Sequence, residues 1–335
     1  METKRNLAGR KLSAIGLGCM GMSEFYGPTD DEASFKALRS AFDSGYRHFD
    51  TSDMYGRGHN EKLLGRFLRD LRPGERSEAF VATKAGIVRS ESDRTMIQVS
   101  NDPAYLREAC ERSLQRLGVE TIDLFYLHRK DPATPIEETM DALASLKKEG
   151  KIQAIGLSEV NADTLRKAQS VHPVAALQSE LSLWTHDALA EVLPATRELG
   201  VSFVAFSPLG RGFLAGGMDS SSRRTLQAQG DMRATLPRFQ EGNFDANLAL
   251  VRQLKAEAHE LGCTAAQLAL AWVLAQGTNV HAIPGSRRER IQQENFAAGG
   301  ITLSKERLTR IDAIFEPSRV RGERYSASLL KTVSK

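Results

Sequence analysis

Along most of the chain, short apolar runs rich in β-branched and aromatic residues alternate with longer segments whose apolar positions recur every three or four residues. The short runs predict eight strands: "AIGLG" from Ala14, "RHFD" from Arg47, "AFVATK" from Ala79, "DLFYLH" from Asp123, "IQAIGLS" from Ile152, "VAALQ" from Val174, "VSFVAFS" from Val201 and "NVHAIPG" from Asn279. Between them, "DEASFKALRSAFDSG", "NEKLLGRFLRDL", "PAYLREACERSLQRLG", "PIEETMDALASLKKEG", "NADTLRKAQS" and "HDALAEVLPATRELG" carry the helical period, with acids early and glycine often at the close. Eight strands with intervening helices in 335 residues predict an α/β fold, a (β/α)8 TIM barrel spanning 1–335 as one domain. A doubly wound open sheet is the alternative. One segment, 207–247, keeps no clean period and contains the flexible run "GGMDSSSRR". A loop of that length after the seventh strand predicts a functional element.

The stretch "GLGCMG", Gly16 to Gly21, spells G-x-G-x-x-G, which in a Rossmann unit opens a helix and is followed about 20 residues later by an acid. Here Gly27-Pro28 breaks any such helix, and the positions about 20 on read "KALRSAF" with no carboxylate. The Rossmann alternative is weakened, and any dinucleotide must be held by other segments.

Composition narrows the function classes. Lys and Arg total 45 against 42 Asp and Glu, a formal net charge of +3, so no broad basic footprint for nucleic acid exists. Cys19, Cys110 and Cys263 are far apart and form no CxxC pair, which argues against a disulfide framework or a zinc site and for a cytoplasmic setting. The amino-terminal apolar stretch is short and cut by glycines, unlike a signal peptide, and no run approaches the roughly 18 apolar residues of a membrane helix.

In a barrel, chemistry gathers at the carboxyl ends of the strands. Strand two ends in Asp50, strand three in Lys84 and strand four in His128, and Tyr55 follows in the loop "DTSDMYG". Singly, each fits an ordinary structural role: a turn cap, a snorkelling lysine, a hydrogen-bonded histidine, a loop aromatic. Together they form a chemical unit. Lys84 at the end of a buried strand needs a counter-charge, and Asp50 supplies it. A nearby ammonium is expected to pull the Tyr55 phenol down toward neutrality and make it a better proton donor, with His128 orienting a carbonyl oxygen. No serine or cysteine nucleophile is evident, and one histidine with one aspartate is poor metal ligation, so no metal is expected. A proton donor without a nucleophile points to carbonyl reduction with hydride from a cofactor.

The stretches "GYRHFDTSDMYGRGHNEKLLGRFL", "VATKAG", "IDLFYLHRKDP", "AIGLSEVN", "FSPLGRGFL" and "IPGSRRERIQQEN" resemble, in order and over nearly the whole chain, the aldo-keto reductases, a family of NADP-dependent (β/α)8 barrels. The "LHR" and "GLSE" variants are similar to its long-chain bacterial and plant members. The resemblance implies an NADPH-dependent oxidoreductase that reduces aldehydes or ketones to alcohols, with Tyr55 as proton donor, Lys84 and Asp50 tuning it, and His128 orienting the carbonyl. It implies NADP(H) contacts at Gly18, Cys19 and Met20 near the nicotinamide ribose, and at Ser158 and Gln178 on the carboxamide. Phe206 would stack on the nicotinamide ring, and Ser207, Pro208, Leu209, Gly210 and Arg211 would hold the pyrophosphate, with 207–247 as a clasp.

In the same reading Gly285, Ser286 and Arg287 hold the 2′-phosphate, and Glu294 and Asn295 meet the adenine. Two departures from the family pattern stand out. Glu159 replaces the usual asparagine after Ser158, and Ile291 replaces an arginine or glutamine, which leaves Arg288 or Arg290 to complete the phosphate clamp. Phe25, Tyr26, Ile87, Val88, Arg129 and Trp184 follow strand ends and are candidates to line the pocket of a small-molecule carbonyl substrate. A cofactor-binding regulatory barrel related to potassium-channel β-subunits is the alternative function, and a metal-dependent barrel hydrolase a more distant one.

Overall fold

The computed structural model describes residues 4–89, 97–326 and 330. The chain opens with an antiparallel hairpin, β1 (Lys4–Leu7) and β2 (Arg10–Ser13), turned by Ala8 and Gly9, both at positive φ. The first two barrel strands follow as β3 (Leu17–Gly18) and β4 (His48–Asp50), then β5 (Phe80–Ala85). A second hairpin, β6 (Ile87–Arg89) with β7 (Ile97–Val99), stands at the end of β5. The remaining barrel strands are β8 (Leu124–Leu127), β9 (Ile155–Ser158), β10 (Ala176–Glu180), β11 (Ser202–Phe206) and β12 (Val280–Ala282).

The eight strands pair in parallel in the order β3-β4-β5-β8-β9-β10-β11-β12. The ends of this sheet meet. Ile15 bridges Ala282 in parallel, with Gly16 N–H donating to the Ala282 carbonyl at 2.8 Å and Ala282 N–H to that of Ala14 at 2.9 Å. The result is the (β/α)8 barrel that the patterning predicts. Phe80, Ala82, Leu124, Tyr126, Ala176 and Val204 fill its interior, capped from below by Leu7 and Leu12 of the hairpin. Gly156 in β9 makes room for this packing, because a Cβ there would lie 2.3 Å from the Tyr126 ring.

The α-helices run in order as α1 (Asp31–Asp43), α2 (His59–Asp70), α3 (Pro73–Glu78), α4 (Pro103–Leu117), α5 (Ile136–Lys148) and α6 (Ala162–Val171). They continue as α7 (Asp187–Ala190), α8 (Val192–Glu198), α9 (Ser222–Ala228), α10 (Asn243–Glu260), α11 (Ala265–Ala275), α12 (Glu289–Ala297) and α13 (Lys305–Ile314). Side-chain caps start several of them: Asp30, Asp102, Asn161 and Ser304 each accept a backbone N–H of the first turn, and Thr264 forms a capping box with Gln267. Among the described residues no helix is long and apolar enough to cross a membrane.

Several boundaries differ from the sequence expectation. The amino-terminal hairpin lies outside the eight-strand pattern, since "KRNL" and "RKLS" bury few residues each and give almost no alternation. The single helix expected over "HDALAEVLPATRELG" is two, α7 and α8, parted at Glu191. Pro194 lacks the N–H that would bond the Ala190 carbonyl, and its ring crowds that carbonyl, so the helix restarts. The segment after β11 is a series of 3-10 turns around α9, and regular structure resumes with α10 at Asn243, four residues before the expected end of the loop at 247. Strand β5 runs one residue past Lys84, and β10 continues beyond Gln178 to Glu180.

Candidate active site

Asp50, the last residue of β4, and Lys84 of β5 point from neighbouring strands to one place, since Asp50 pairs in register with Ala82, two positions before Lys84. Lys84 Nζ donates to Asp50 Oδ1 and to the Thr51 carbonyl at 2.8 Å, and both side chains are buried. Gln178 Nε2 donates to the other carboxylate oxygen at 2.7 Å. Burial pushes the Asp50 carboxyl above its ordinary range and the Lys84 ammonium below its own, and in each case the partner's charge works against the shift. A buried pair of this kind holds geometry more than it adds stability.

Tyr55 lies on a 3-10 turn after β4, and His128 is the first residue past β8. Their rings meet edge-on with centroids 6.1 Å apart, and Lys84 Nζ is 5.3 Å from the Tyr55 ring centroid. The four residues that the sequence singles out are therefore brought together at the carboxyl-terminal rim. One expectation about them is corrected. The Tyr55 phenol is not drawn down toward neutrality: burial raises it well above the ordinary value and the Asp50 carboxylate adds to the rise. The Lys84 charge is already spent on Asp50 and Thr51, so it offers the phenol little. Tyr55 is a protonated acid across the neutral range. His128 is neutral, because burial lowers it well below its ordinary value and the Arg129 and Lys84 cations lower it further.

Ser52, which the sequence pattern does not single out, orients the histidine. Its Oγ lies 3.1 Å from His128 Nδ1, 3.2 Å from Asp53 Oδ1 and 3.3 Å from the Lys84 carbonyl. A signal was present, as Ser52 stands in the same "DTSDMY" run as Asp50 and Tyr55.

Around this centre the residues expected to hold a dinucleotide divide into those free to do so and those already engaged. Gly18 closes β3, Cys19 N–H bonds the Asp50 carbonyl at 2.9 Å, and Met20 begins a 3-10 turn. Ser158 ends β9 and Phe206 ends β11, half-buried above the barrel interior. From Ser207 to Gly212 the backbone turns through four residues at positive φ, Ser207, Gly210, Arg211 and Gly212, with Pro208 and Leu209 between. Gly210 and Gly212 N–H are spent within the turn, on the Ser207 carbonyl at 2.8 Å and the Leu209 carbonyl at 2.9 Å, so an anion here would have to be met by the turn's other N–H groups. Arg211, expected to lend that loop its charge, instead turns inward. Its guanidinium is buried against Glu180 at 3.1 Å and lies 4.9 Å over the Tyr325 ring, because the Glu180 carboxylate in the end of β10 needs a counter-ion there.

Near α12, Gly285 packs 3.0 Å, Cβ position to oxygen, from the Gly18 carbonyl, and the Ser286 hydroxyl exchanges hydrogen bonds with the backbone of Arg288. Arg287 reaches across to the carbonyls of Pro28 at 2.5 Å and Tyr26 at 3.2 Å, tying the turn after β3 to the start of α12. Arg288 and Arg290 are exposed and make no side-chain hydrogen bond among the described residues. The Asn295 amide is buried with both polar atoms unpartnered among the described residues, a site with unused hydrogen-bonding capacity. Glu294, its neighbour, accepts from Thr264 at 2.7 Å and so faces α11.

Glu159 has a structural occupation: its carboxylate accepts the Glu180 N–H and an Arg324 N–H, both at 2.8 Å, pinning the carboxyl-terminal segment over β9 and β10. Of the pocket candidates, Phe25, Tyr26 and Ile87 are half-buried at the rim, with Arg89 stacked 5.9 Å over Phe25. Trp184 lies behind the Ser207–Gly212 turn, its ring against Gly210. It is buried between Phe213 and Phe239 with Arg238 over its ring, a packing role that its place after β10 did not disclose. Among the described residues no three His, Cys, Asp or Glu are grouped as metal ligands.

The chain matches the model of the aldo/keto reductase family over residues 14–316 and belongs to that family. Among solved structures it is similar to the glycerol dehydrogenase of Gluconobacter oxydans, at 31% identity and a TM-score of 0.83 over 93% of this chain and 94% of that one. It is also similar to a thermostable aldo-keto reductase solved with the inhibitor epalrestat, at 29% identity and a TM-score of 0.72 over 93% and 99% of the two chains. An aldo-keto reductase of Klebsiella pneumoniae solved with NADPH shares the fold, at 24% identity and a TM-score of 0.71 over 96% and 99%.

Proposed function

We propose that the protein is an NADPH-dependent reductase of aldehydes or ketones. The observation that carries this reading is the meeting of a protonated phenol and a neutral imidazole over the buried Asp50–Lys84 pair at the carboxyl-terminal rim of a barrel of this family. Bound NADPH would supply the hydride to the carbonyl carbon. The carbonyl oxygen sits between Tyr55 and His128. His128, uncharged, donates a hydrogen bond from Nε2 that fixes the oxygen and polarises the C=O bond. As the carbon is reduced, the oxygen takes the Tyr55 proton and the product leaves as an alcohol. A raised phenol is suited to this direction, because the acid form must be present when negative charge develops on oxygen.

The cofactor would run from the Gly18, Cys19 and Met20 backbone, Ser158, Gln178 and Phe206 at the nicotinamide end, over the Ser207–Gly212 turn, to Ser286 and the start of α12. The unpartnered Asn295 amide supports an adenine contact there. The protein is expected to act in the cytoplasm on a small molecule.

The test is NADPH consumption over a panel of aldehydes and ketones with wild-type protein and Tyr55→Phe. The variant is expected to lose at least about 100-fold in turnover, the contribution of a positioned general acid, and to bind NADPH as wild type does. Retention of most of the turnover would overturn the assignment.

A further inference from the structure

Several arginines of the rim loops are ion-paired: Arg89 with Glu24 at 2.7 Å, Arg211 with Glu180 at 3.1 Å, Arg233 with Asp231 at 2.7 Å and Arg324 with Glu159 at 2.8 Å. Arg129, by contrast, has no carboxylate within ion-pair distance among the described residues. It follows His128 at the end of β8 and is half-buried. Its Nη1 donates to the His128 carbonyl at 2.7 Å and to Ser158 Oγ at 3.2 Å, which uses both hydrogens of that nitrogen. Nε and Nη2 make no hydrogen bond among the described residues and are not sealed away from solvent.

The two bonds of Nη1 place the charge beside His128, whose ring meets that of Tyr55 at 6.1 Å, and the direction of its influence agrees: it opposes the rise of the Tyr55 phenol and adds to the lowering of His128. A half-buried cation without a counter-ion is unfavourable unless something anionic completes it. The edge left open, Nε with Nη2, is one of the faces of the guanidinium fork that bonds a carboxylate through two parallel N–H groups.

We propose that Arg129 receives an anionic group of the substrate, so that the carbonyl compound reduced here carries a carboxylate in the same molecule. The proposal rests on the reductase reading and adds the substrate class to it. Ser158 and the His128 carbonyl hold Nη1, which aims the open edge; the substrate carboxylate then anchors one end of the molecule while its carbonyl lies against Tyr55 and His128. A neutral aldehyde of the same shape lacks the anchor and leaves the cation uncompensated.

The experiment compares the carboxybenzaldehyde isomers with their methyl esters as substrates of wild type, Arg129→Gln and Arg129→Lys, with glyceraldehyde phosphate against glyceraldehyde as a second pair. In the wild type, kcat/KM for at least one acid should exceed that of its ester by roughly 10- to 150-fold, the ratio that a charge-assisted hydrogen bond sustains. The ratio should fall close to one in Arg129→Gln and be partly kept in Arg129→Lys. Preference for the phosphate over the carboxylate pair would overturn the carboxylate assignment. So would acids no better than esters in an active wild type, or equal losses for acid and ester together with weakened NADPH binding in Arg129→Gln, which would make Arg129 a cofactor residue. If no carbonyl is reduced at all, the reductase reading itself fails. Calorimetry with isophthalate then decides Arg129 alone: binding lost in Arg129→Gln supports the anion site, and equal binding overturns it.

Discussion

At the scale of the residue, the candidate centre turns on where single protons sit. The Ser52 hydroxyl has one proton and three acceptors in reach: Asp53 Oδ1, the Lys84 carbonyl and His128 Nδ1. If the proton goes to His128 Nδ1, the imidazole carries its own hydrogen on Nε2 and donates it to a carbonyl oxygen. If it goes to Asp53, Nδ1–H donates to Ser52 and Nε2 is left a bare acceptor. Ser52→Ala removes the hydroxyl through which the tautomer is chosen. Loss of a hydrogen bond of about 1 kcal/mol corresponds to about 5-fold in kcat. The nitrogen chemical shifts of the His128 ring should show the tautomer populations change in step, and an unaltered spectrum with unaltered turnover would remove Ser52 from the site. The protonation states also set a pH profile. Tyr55 is raised and His128 lowered, so between about pH 6 and pH 9 neither changes form, and reduction should vary there only by the step of at most about 5-fold that Asp53, raised to about 7, passes to His128 through Ser52, whereas alcohol oxidation, which needs the phenolate, should climb with pH. A reduction rate that fell more steeply than this through neutrality, and did so equally in Asp53→Asn, would place the Tyr55 phenol lower than its surroundings set it. Asp50, Tyr55, Lys84 and His128 were legible in the sequence because a charged or polar side chain at the end of an apolar strand is costly to bury unless its neighbours pair with it. The direction of the Tyr55 shift was not, since it depends on how deeply the fold buries the ring and on which neighbour has already taken the lysine's charge.

At the scale of the element, the start of α12 divides its arginines between two tasks. Arg287 is committed to the carbonyls of Tyr26 and Pro28, and Arg288 and Arg290 stand free beside backbone N–H groups of the first turn. Guanidinium groups oppose the dipole at that end of a helix, and a dianionic phosphate resolves the conflict. The double variant Arg288→Ala with Arg290→Ala is therefore expected to weaken NADPH by roughly 10- to 150-fold and to leave NADH nearly unchanged. Arg287→Ala should weaken both cofactors alike, through the loosened turn at Tyr26–Pro28. Fluorescence titration with the two cofactors separates these outcomes, and an undiminished preference for NADPH in the double variant would place the phosphate elsewhere. The sequence pointed to this helix start because serine and several arginines cluster there. It could not say which arginine was spent, for the acceptors are carbonyls at separations of 259 and 261 residues. The same limit applies to Arg211 and Trp184: their neighbours in sequence sit at the rim, and their partners Glu180, Tyr325 and Phe239 reach them only through the fold.

At the scale of the whole molecule, the barrel carries its chemistry at one mouth and a liability at the other. The β1–β2 hairpin covers the amino-terminal mouth, where Arg5 bonds the Gly277 carbonyl at 2.6 Å and Ser202 Oγ donates to the Asn6 carbonyl at 3.0 Å. Beneath it lie two buried histidines. His48 has neither ring nitrogen hydrogen-bonded among the described residues, and His281 donates from Nε2 to the Asn6 carbonyl at 3.1 Å. Burial lowers His48 to about 3, with the His281 and Lys84 charges adding to the shift, and lowers His281 to about 4. Both folded values lie below the ordinary value of about 6.5, so the unfolded chain takes up these protons first. The stability they allow is complete above about pH 6.5 and is lost as pH falls toward the folded values, at about 1.4 kcal/mol per pH unit for each histidine. Asp53 acts in the opposite sense, because burial raises it to about 7 and the folded state binds its proton first. The wild-type curve therefore mixes both signs, and the informative quantity is the difference between wild type and His48→Leu. Urea unfolding of the two proteins at about pH 7, 6 and 5 should show the variant losing less on acidification, by about 1.4 kcal/mol per pH unit below about pH 6.5. Parallel curves would mean that water or a rearranged hairpin reaches His48 and that the barrel floor is less closed than its packing implies.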